Sequence, residues 1–415
     1  MPLFTQLFLL ALAAGTLLQL WLLGRHLQHV ARHRDKVPAD FADSIRLSDH
    51  QKAADYTAAK GEIARLEIIF GSLLLLLWTL GGGLDLLNRF WLGLEIDPLL
   101  SGVALIFSVL FISSLLDLPF TAWRTFRIES AYGFNRTSVP QFVKDRLLGA
   151  LLGLLLGGPL VWVILWLMES AGPFWWMAAW LVWMAFTLTL TWAYPRIIAP
   201  IFNRFTPLEE GEMRQRIQGL LLRCGFTSDG IFVMDGSKRS SHGNAYFTGF
   251  GNNKRIVFFD TLLKSLSPHE MEAVLAHELG HFRRRHIIKQ MLLMATLSLG
   301  GLALLGWLSE QGWFFQDLGV SQPSDASALL LFLLAAPVFT LFFSPLGSYL
   351  SRRHEFEADD YAVAQTDGSH LIKALVKLYQ DNASTLTPDP LYSMFHDSHP
   401  PAPVRIAHIS QQNRG

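Results

Sequence analysis

The sequence has almost no cysteine. Cys224 is the only one in 415 residues, which excludes an intramolecular disulfide and a cysteine-ligated zinc site. Charge is scarce too. Asp, Glu, Lys and Arg make up 16% of the chain, and 34 basic residues cancel 34 acidic ones, so nothing points to nucleic acid as a partner. No Lys or Arg precedes the first apolar run, and the basic residues follow it. That order argues against a cleaved signal peptide and for a retained first span with its amino end outside. There is no internal repeat and no low-complexity tract.

What the chain has instead is apolar side chains. Hydrophobic residues make up 51%, with 13 Trp and 30 Phe, and the mean hydropathy is +0.30. This composition suits a lipid-facing surface and an integral membrane protein. Seven stretches read as membrane helices, near 3–23, 66–88, 100–120, 147–168, 174–195, 287–308 and 327–350. The third is the weakest, because Asp117 and Pro119 interrupt its end. The loops alternate in charge: 24–65 holds eight Lys or Arg and 121–146 holds five, whereas 169–173 and 309–326 hold none. The positive-inside rule then puts 24–65, 121–146, 196–286 and 351–415 in the cytoplasm. Asp85, Asn88, Asp117 and Glu67, in or near spans, either line a water-filled space or sit at helix ends.

Four regions follow: a membrane domain with five spans (1–195), a polar catalytic segment (196–286), a membrane hairpin (287–350) and a second polar segment (351–415). Pro195, Pro200 and Pro207 are expected to break the fifth span. The segment 24–65 reads as an amphipathic helix or solvated loop. A helix is predicted around 208–223. Strands are predicted at Ile231–Met234, Ala245–Thr248 and Ile256–Phe259, with a turn at Gly251-Asn252-Asn253-Lys254 between the last two. Such a sheet either holds an extended peptide along an edge or only braces its neighbours.

The most telling residues come next: His277-Glu278-Leu279-Gly280-His281. On a helix, positions four apart share a face, so both histidines can offer a ring nitrogen to one metal ion. Glu278 is near the metal without binding it, placed to take a proton from a water on zinc. Ser267-Pro268-His269-Glu270 supplies a cap, a first-turn proline and a capping-box glutamate. Met271, Val274, Leu275 and Leu279 form an apolar stripe. Two solvated histidines on a polar helix face would satisfy the same pattern. A catalytic zinc also needs a third protein ligand. Beyond the last span the chain reads Ser351-Arg352-Arg353-His354-Glu355-Phe356-Glu357-Ala358-Asp359, and spacing alone leaves Glu355, Glu357, His354 and Asp359 as candidates.

The HELGH motif, followed past a membrane hairpin by Glu355-Phe356-Glu357-Ala358-Asp359, resembles the M48 metallopeptidases, and more fully the Ste24-type CAAX prenyl proteases. Ser241 to Phe250, centred on Asn244-Ala245-Tyr246-Phe247, resembles their NAYF-type segment. Tyr392 to Pro401 resembles their SHPP segment, with Arg405 at the matching distance. The resemblance covers nearly the whole chain. It implies a mainly α integral membrane fold of about seven helices around an intramembrane chamber, with a small zincin-like α+β catalytic domain on the cytoplasmic side. It implies one zinc ion per chain, held by His277, His281 and Glu355, with Glu278 as general base and Asp359 supporting the ligands from behind. Asn244 would lie by the substrate strand. His399 would stabilise the oxyanion, with His396 as its rival, and Arg405 would hold substrate or the His399 segment. No covalent intermediate is needed, so Ser240, Ser241 and Cys224 are not nucleophiles.

The function so implied is zinc-dependent endoproteolysis, of prenylated CAAX termini or of membrane proteins and peptides in quality control. The partners are a peptide or protein substrate, lipidated ones included, and membrane lipid. The membrane is the inner membrane of a prokaryote or the endoplasmic reticulum of a eukaryote. Compact polar segments and the lack of an evident retention tail point towards a prokaryote. The competing function is a transporter or channel-like protein with a structural zinc, which would close its site with four protein ligands.

Overall fold

The computed structural model describes residues 1–228, 230–248 and 255–412. Among them, six helices are long and apolar enough to cross a membrane: Leu3–Arg32, Pro98–Glu129, Val139–Ser170, Gly172–Phe202, His286–Leu308 and Asp325–Gln365. A seventh crossing is a pair, Leu47–Trp78 and Gly83–Leu92, bent by 43°. The predicted span 66–88 is thus not one straight helix. Gly82, at φ 76°, takes the left-handed conformation that ends one helix before the next begins. The third span, expected to be the weakest, is unbroken. Asp97 caps its start, Pro119 is carried inside Pro98–Trp123, and a wider π-helical turn, Arg124–Glu129, follows. Pro195 and Pro200 do not stop the fifth span either. A π-helical turn over Tyr194–Ile198 absorbs the missing donor, and the helix runs on to Phe202. The basic segment 24–65 is largely helical, extending the first two spans out of the apolar zone.

Val139–Ser170 leaves Leu147, Leu151, Leu155, Trp162 and Trp166 exposed, an outward face suited to lipid. Inward, Phe8, Trp78, Leu105, Phe314 and Leu330 join one buried cluster. At one end of the bundle, Ser321 donates to Asp85 from its backbone N–H and its hydroxyl (2.7 Å each), and Asn88 donates to the Gln322 carbonyl (2.6 Å). Asp85 and Asn88 therefore fasten a helix end to a loop, the second of the two roles open to them. Glu67 pairs with Arg124, and Asp117 accepts from Thr121 (3.1 Å). At the other end the four polar segments meet. Arg25 reaches Asp389 (3.0 Å), Arg239 reaches Asp145 (2.7 Å), and Phe134 stacks on His242 (4.3 Å).

Between the first, second and last membrane helices lies a cavity of about 500 Å³, with Thr16, Gln19, Glu67 and Val338 on its wall. A second, of about 460 Å³, meets it at Ala64 and extends to His399. Beyond the membrane helices, four strands form one sheet: β1 (Phe205–Pro207), β2 (Ile231–Met234), β3 (Ala245–Thr248) and β4 (Arg255–Phe259), in the order β1-β2-β4-β3. Strands β2 and β4 run parallel with Ile231 opposite Ile256, and β3 runs antiparallel to β4 with Tyr246 opposite Val257. Strand β1 was not anticipated. The helix expected at 208–223 runs Glu212–Arg223, and the turn expected at 251–254 lies outside the described residues.

The sheet packs on the HELGH helix, Pro268–Arg283. Met271, Leu275 and Leu279 are fully buried there with Ile217, Phe258, Leu371 and Ile409, so both polar segments build a single core. Burial of such a side chain stabilises by about 1.5–3 kcal/mol. Val274 is only partly buried. The closest approach is Gly280 against the helix Ser344–Gln365, where a Cβ would stand 2.8 Å from Ala358 Cα and 3.0 Å from its carbonyl oxygen. Gly280→Ala gains about 1 kcal/mol of helix propensity but meets backbone that cannot rotate away, at a cost of about 1–3 kcal/mol. We expect a lower thermal midpoint in detergent together with weaker metal retention, because the two helices carry different metal-facing residues. Unchanged metal content would contradict this.

Candidate metal centre

The HELGH helix starts where the sequence says it should. Ser267 Oγ accepts from the Glu270 N–H, and Glu270 returns the bond to the Ser267 N–H (2.8 Å). Three turns on, the Nε2 atoms of His277 and His281 face each other at 3.3 Å. Glu355 arrives from the far helix, with carboxylate oxygens 3.4 Å from each of these nitrogens. One ligand atom from each of the three lies within 4.8 Å of the others. Glu355 Oε2 is buried and accepts no hydrogen bond.

Each histidine is held from behind. His277 Nδ1 donates to Asp359 (2.8 Å), and Asp359 is clamped by buried Arg405 through Nε (2.9 Å) and Nη2 (2.5 Å). Arg405 Nη1 also lies 3.7 Å from Glu355. On the other side, His281 Nδ1 meets Nδ1 of His286 (3.1 Å), and His286 Nε2 meets Glu357 (3.0 Å). This second chain depends on Arg285, whose left-handed conformation (φ 58°) turns the backbone so that His286 opens the next helix facing back. With their Nδ1 atoms engaged, both rings present Nε2 to the same point.

Burial and Arg405 push the His277 imidazolium down, but the carboxylates of Asp359 and Glu355 outweigh them and hold it at about 9. Burial, then the charge of His277, pushes His281 down to about 4. The pair thus carries one positive charge, on His277, whose extra proton a metal cation would displace. Burial raises the Glu278 carboxyl against the pull of His277, and Glu355 raises it further. A carboxylate so raised is a better proton acceptor.

The remaining predicted residues divide. His399 Nε2 lies 3.4 Å from Glu355 and its Nδ1 meets the Ser398 hydroxyl (3.0 Å), on a side chain that is largely exposed. Its rival His396 packs on Tyr392 (4.5 Å between ring centroids) and lines the adjoining cavity. Asn244 stands just before β3, where its side chain accepts from the Ala245 N–H (2.8 Å) and its carbonyl accepts from Phe259 N–H (3.0 Å). Among the described residues it makes no contact with the metal cluster. Glu357 and His354, open as ligands on spacing, do not join it: His354 stacks on His286 (4.0 Å) and Glu357 binds that ring's Nε2. His286 went unnoticed in the sequence, and its position five residues after His281 was the one available signal.

Comparison with known proteins fits this geometry. The profile described as peptidase family M48 matches residues 207–413, and one described as CAAX prenyl protease N-terminal, five membrane helices, matches 26–204. The CAAX prenyl protease 1 homolog of Arabidopsis thaliana is 35% identical over 84% of this chain and 81% of its own. The chain belongs to peptidase family M48. CAAX prenyl protease 1 of Saccharomyces cerevisiae is 32% identical over 89% of this chain and 88% of its own. The crystal structure of S. mikatae Ste24p superposes with a TM-score of 0.88 at 29% identity, covering 97% of this chain and 98% of that one.

As an M48 member the chain is a multi-pass membrane metallopeptidase acting on peptides or proteins, and the transporter alternative finds no support. The residues present fit the metal that the family implies. Among the described residues, two imidazole nitrogens and one carboxylate oxygen converge, Glu355 Oε2 is buried without a well-formed hydrogen bond, and three donors rather than four leave a coordination position open.

Proposed function

We propose that this peptidase binds one zinc ion through His277, His281 and Glu355, and that it cleaves prenylated CAAX-type carboxy-termini at the cytoplasmic face of its membrane. The observation that carries the reading is the three-ligand cluster beside His399, which lines a cavity sharing Ala64 with the one between the membrane helices. A lipidated cysteine near a carboxy-terminus could keep its chain among those helices while its peptide reaches the metal. The names of the relatives accord with this substrate. The cytoplasmic side is supported by the meeting of the basic segments 24–65 and 121–146 with both polar segments at one end. The division into a five-span domain, a membrane hairpin and two polar segments that share one core belongs to the same reading.

When bound, zinc supplies Lewis-acid polarisation of the scissile carbonyl and acidifies water. Glu278 takes the proton of the attacking water and returns it to the leaving amine. His399, beside Glu355 but open to solvent, donates to the developing oxyanion. Asp359 and Arg405 hold the His277 ring, and Arg405 steadies the segment bearing His399. Strand β3, at the edge of the sheet and entered from Asn244, offers main-chain groups to an extended substrate. The test uses the full chain in detergent, zinc quantification and a prenylated CAAX peptide. We expect about one zinc per chain, cleavage abolished by chelator and restored by zinc. Chelator-insensitive cleavage, or none of this peptide by zinc-loaded protein, would refute the proposal.

A further inference from the structure

The side chain proposed for the oxyanion has little of its own to hold it. His399 is exposed, and among the described residues its ring nitrogens meet only Glu355 (3.4 Å) and the hydroxyl of its neighbour Ser398 (3.0 Å). Its place is therefore set by the chain on either side. Downstream, Pro400 and Pro401 restrict the backbone and lead into the helix Ala402–Gln412. Upstream stands Pro390–His396, a helix of seven residues. So short a helix does not hold its shape by itself.

Both ends of that short helix are tied. Asp389 caps its start, accepting from the N–H groups of Leu391 (3.1 Å) and Tyr392 (3.0 Å). At the other end, the last carbonyls of a helix lack partners within it. Here Arg352 Nη1 donates to the carbonyls of Ser393 (3.3 Å), Met394 (3.1 Å) and Asp397 (2.8 Å), and Ser348 Oγ donates to that of Phe395 (3.1 Å). A cation at a helix C-terminus is also favoured by the backbone dipole. Among the described residues, these three carbonyls are the only hydrogen-bond acceptors of Arg352. Ser348, Arg352, Glu355 and Asp359 all lie on the helix Ser344–Gln365 at alternating spacings of four and three residues, so they share one face. That face carries the proposed metal ligand, the support of His277 and both clamps on Pro390–His396.

We infer that Arg352 is a positioning residue for the reaction: by gathering the carbonyls at the end of Pro390–His396 onto the Glu355 helix, it sets His399 beside Glu355. The inference rests on the role proposed above for His399 and deepens it. His399 follows Asp397, the carbonyl that Arg352 holds most closely, by two residues. Any slack at that carbonyl passes to a ring with no packing of its own to correct it. One nitrogen makes all three contacts, so the guanidinium fork is not required, and a lysine ammonium can take over part of them.

The test is a double-mutant cycle on the full-length zinc-loaded protein with the prenylated CAAX peptide. Arg352→Met keeps an apolar stem and removes the donors. It should lower kcat by up to about 100-fold, the cost of a misplacement of about 1 Å, with KM and zinc content near the parental values. Arg352→Lys should recover part of that loss. His399→Ala should lower kcat by about 10²–10³-fold, as for a lost oxyanion donor. Adding Arg352→Met to His399→Ala should bring no further fall, because the arginine acts only through the ring already removed. Losses that multiply, a change confined to KM, or a parental kcat in Arg352→Met overturns the inference. Should Arg352→Met lose its zinc or fail to fold, Ser348→Ala runs the same cycle, removing only the Phe395 bond. A fall in kcat that vanishes in the His399→Ala background then supports the inference, and any other result overturns it. A parental kcat in His399→Ala overturns the oxyanion role and this inference with it, while zinc-dependent cleavage stands. A parent chain that cleaves no peptide overturns the proposed function itself.

Discussion

Glu278→Gln is expected to hold metal like the parent chain and to cleave peptide about 10²–10⁴-fold more slowly, the usual contribution of a positioned general base. The amide has the shape of the carboxylate and leaves His277, His281 and Glu355 untouched. What it loses is basicity, and the Glu278 environment is built for basicity: burial and the neighbouring Glu355 raise its carboxyl, against His277 and Arg405. Metal analysis beside single-turnover cleavage separates the two properties. Near-parental cleavage would show that the proton leaves by another route. Loss of metal would show that Glu278 ligates rather than accepts protons.

Asp359→Asn should be the most damaging change to the fold near the site. Asp359 and Arg405 are both buried, bonded at 2.9 and 2.5 Å, and Asp359 also holds His277 at 2.8 Å. Removing one partner of a buried pair leaves the other charge uncompensated, at about 3–5 kcal/mol. The stranded Arg405 then has Glu355 at 3.7 Å as its nearest carboxylate and competes with the metal for it. Metal affinity should fall about 10–100-fold, as when a ligand's supporting group is lost. Thermal unfolding and competitive metal titration measure the two effects. Combining Asp359→Asn with Arg405→Leu should recover part of the stability but not the affinity. Full recovery of affinity would mean that Asp359 does not orient His277.

The residues of the candidate metal centre were largely readable in the sequence, because helical spacing is local. His277, His281, the Ser267–Glu270 cap and the buried stripe follow from one stretch of chain. Glu355 was only one of four candidates on spacing. It is selected by the approach of Gly280 to Ala358, a contact between segments almost eighty residues apart. His286 was missed because a single left-handed residue, Arg285, aims it backwards, and nothing in an arginine announces that conformation. The prolines misled for a related reason. Pro119 and Pro195 remove donors from a regular helix, yet wider turns nearby let the helices continue. Strand β1 was invisible because it is three residues long, ends in proline and exists through its pairing with β2. Asp85 and Asn88 read equally well as chamber or helix-end residues until their partners, Ser321 and Gln322, more than two hundred residues away, were in view.

The run from Asp325 to Gln365 is helical almost throughout, interrupted only by the tight turn Leu341–Phe343. Its apolar part lies in the bilayer, and Glu355 sits a few turns further along the same rod. Membranes of different thickness impose different tilts on such a rod. The proposed third ligand is in effect mounted on a lever whose other arm is apolar enough for lipid. A bilayer that tilts that arm would shift the carboxylate at the other.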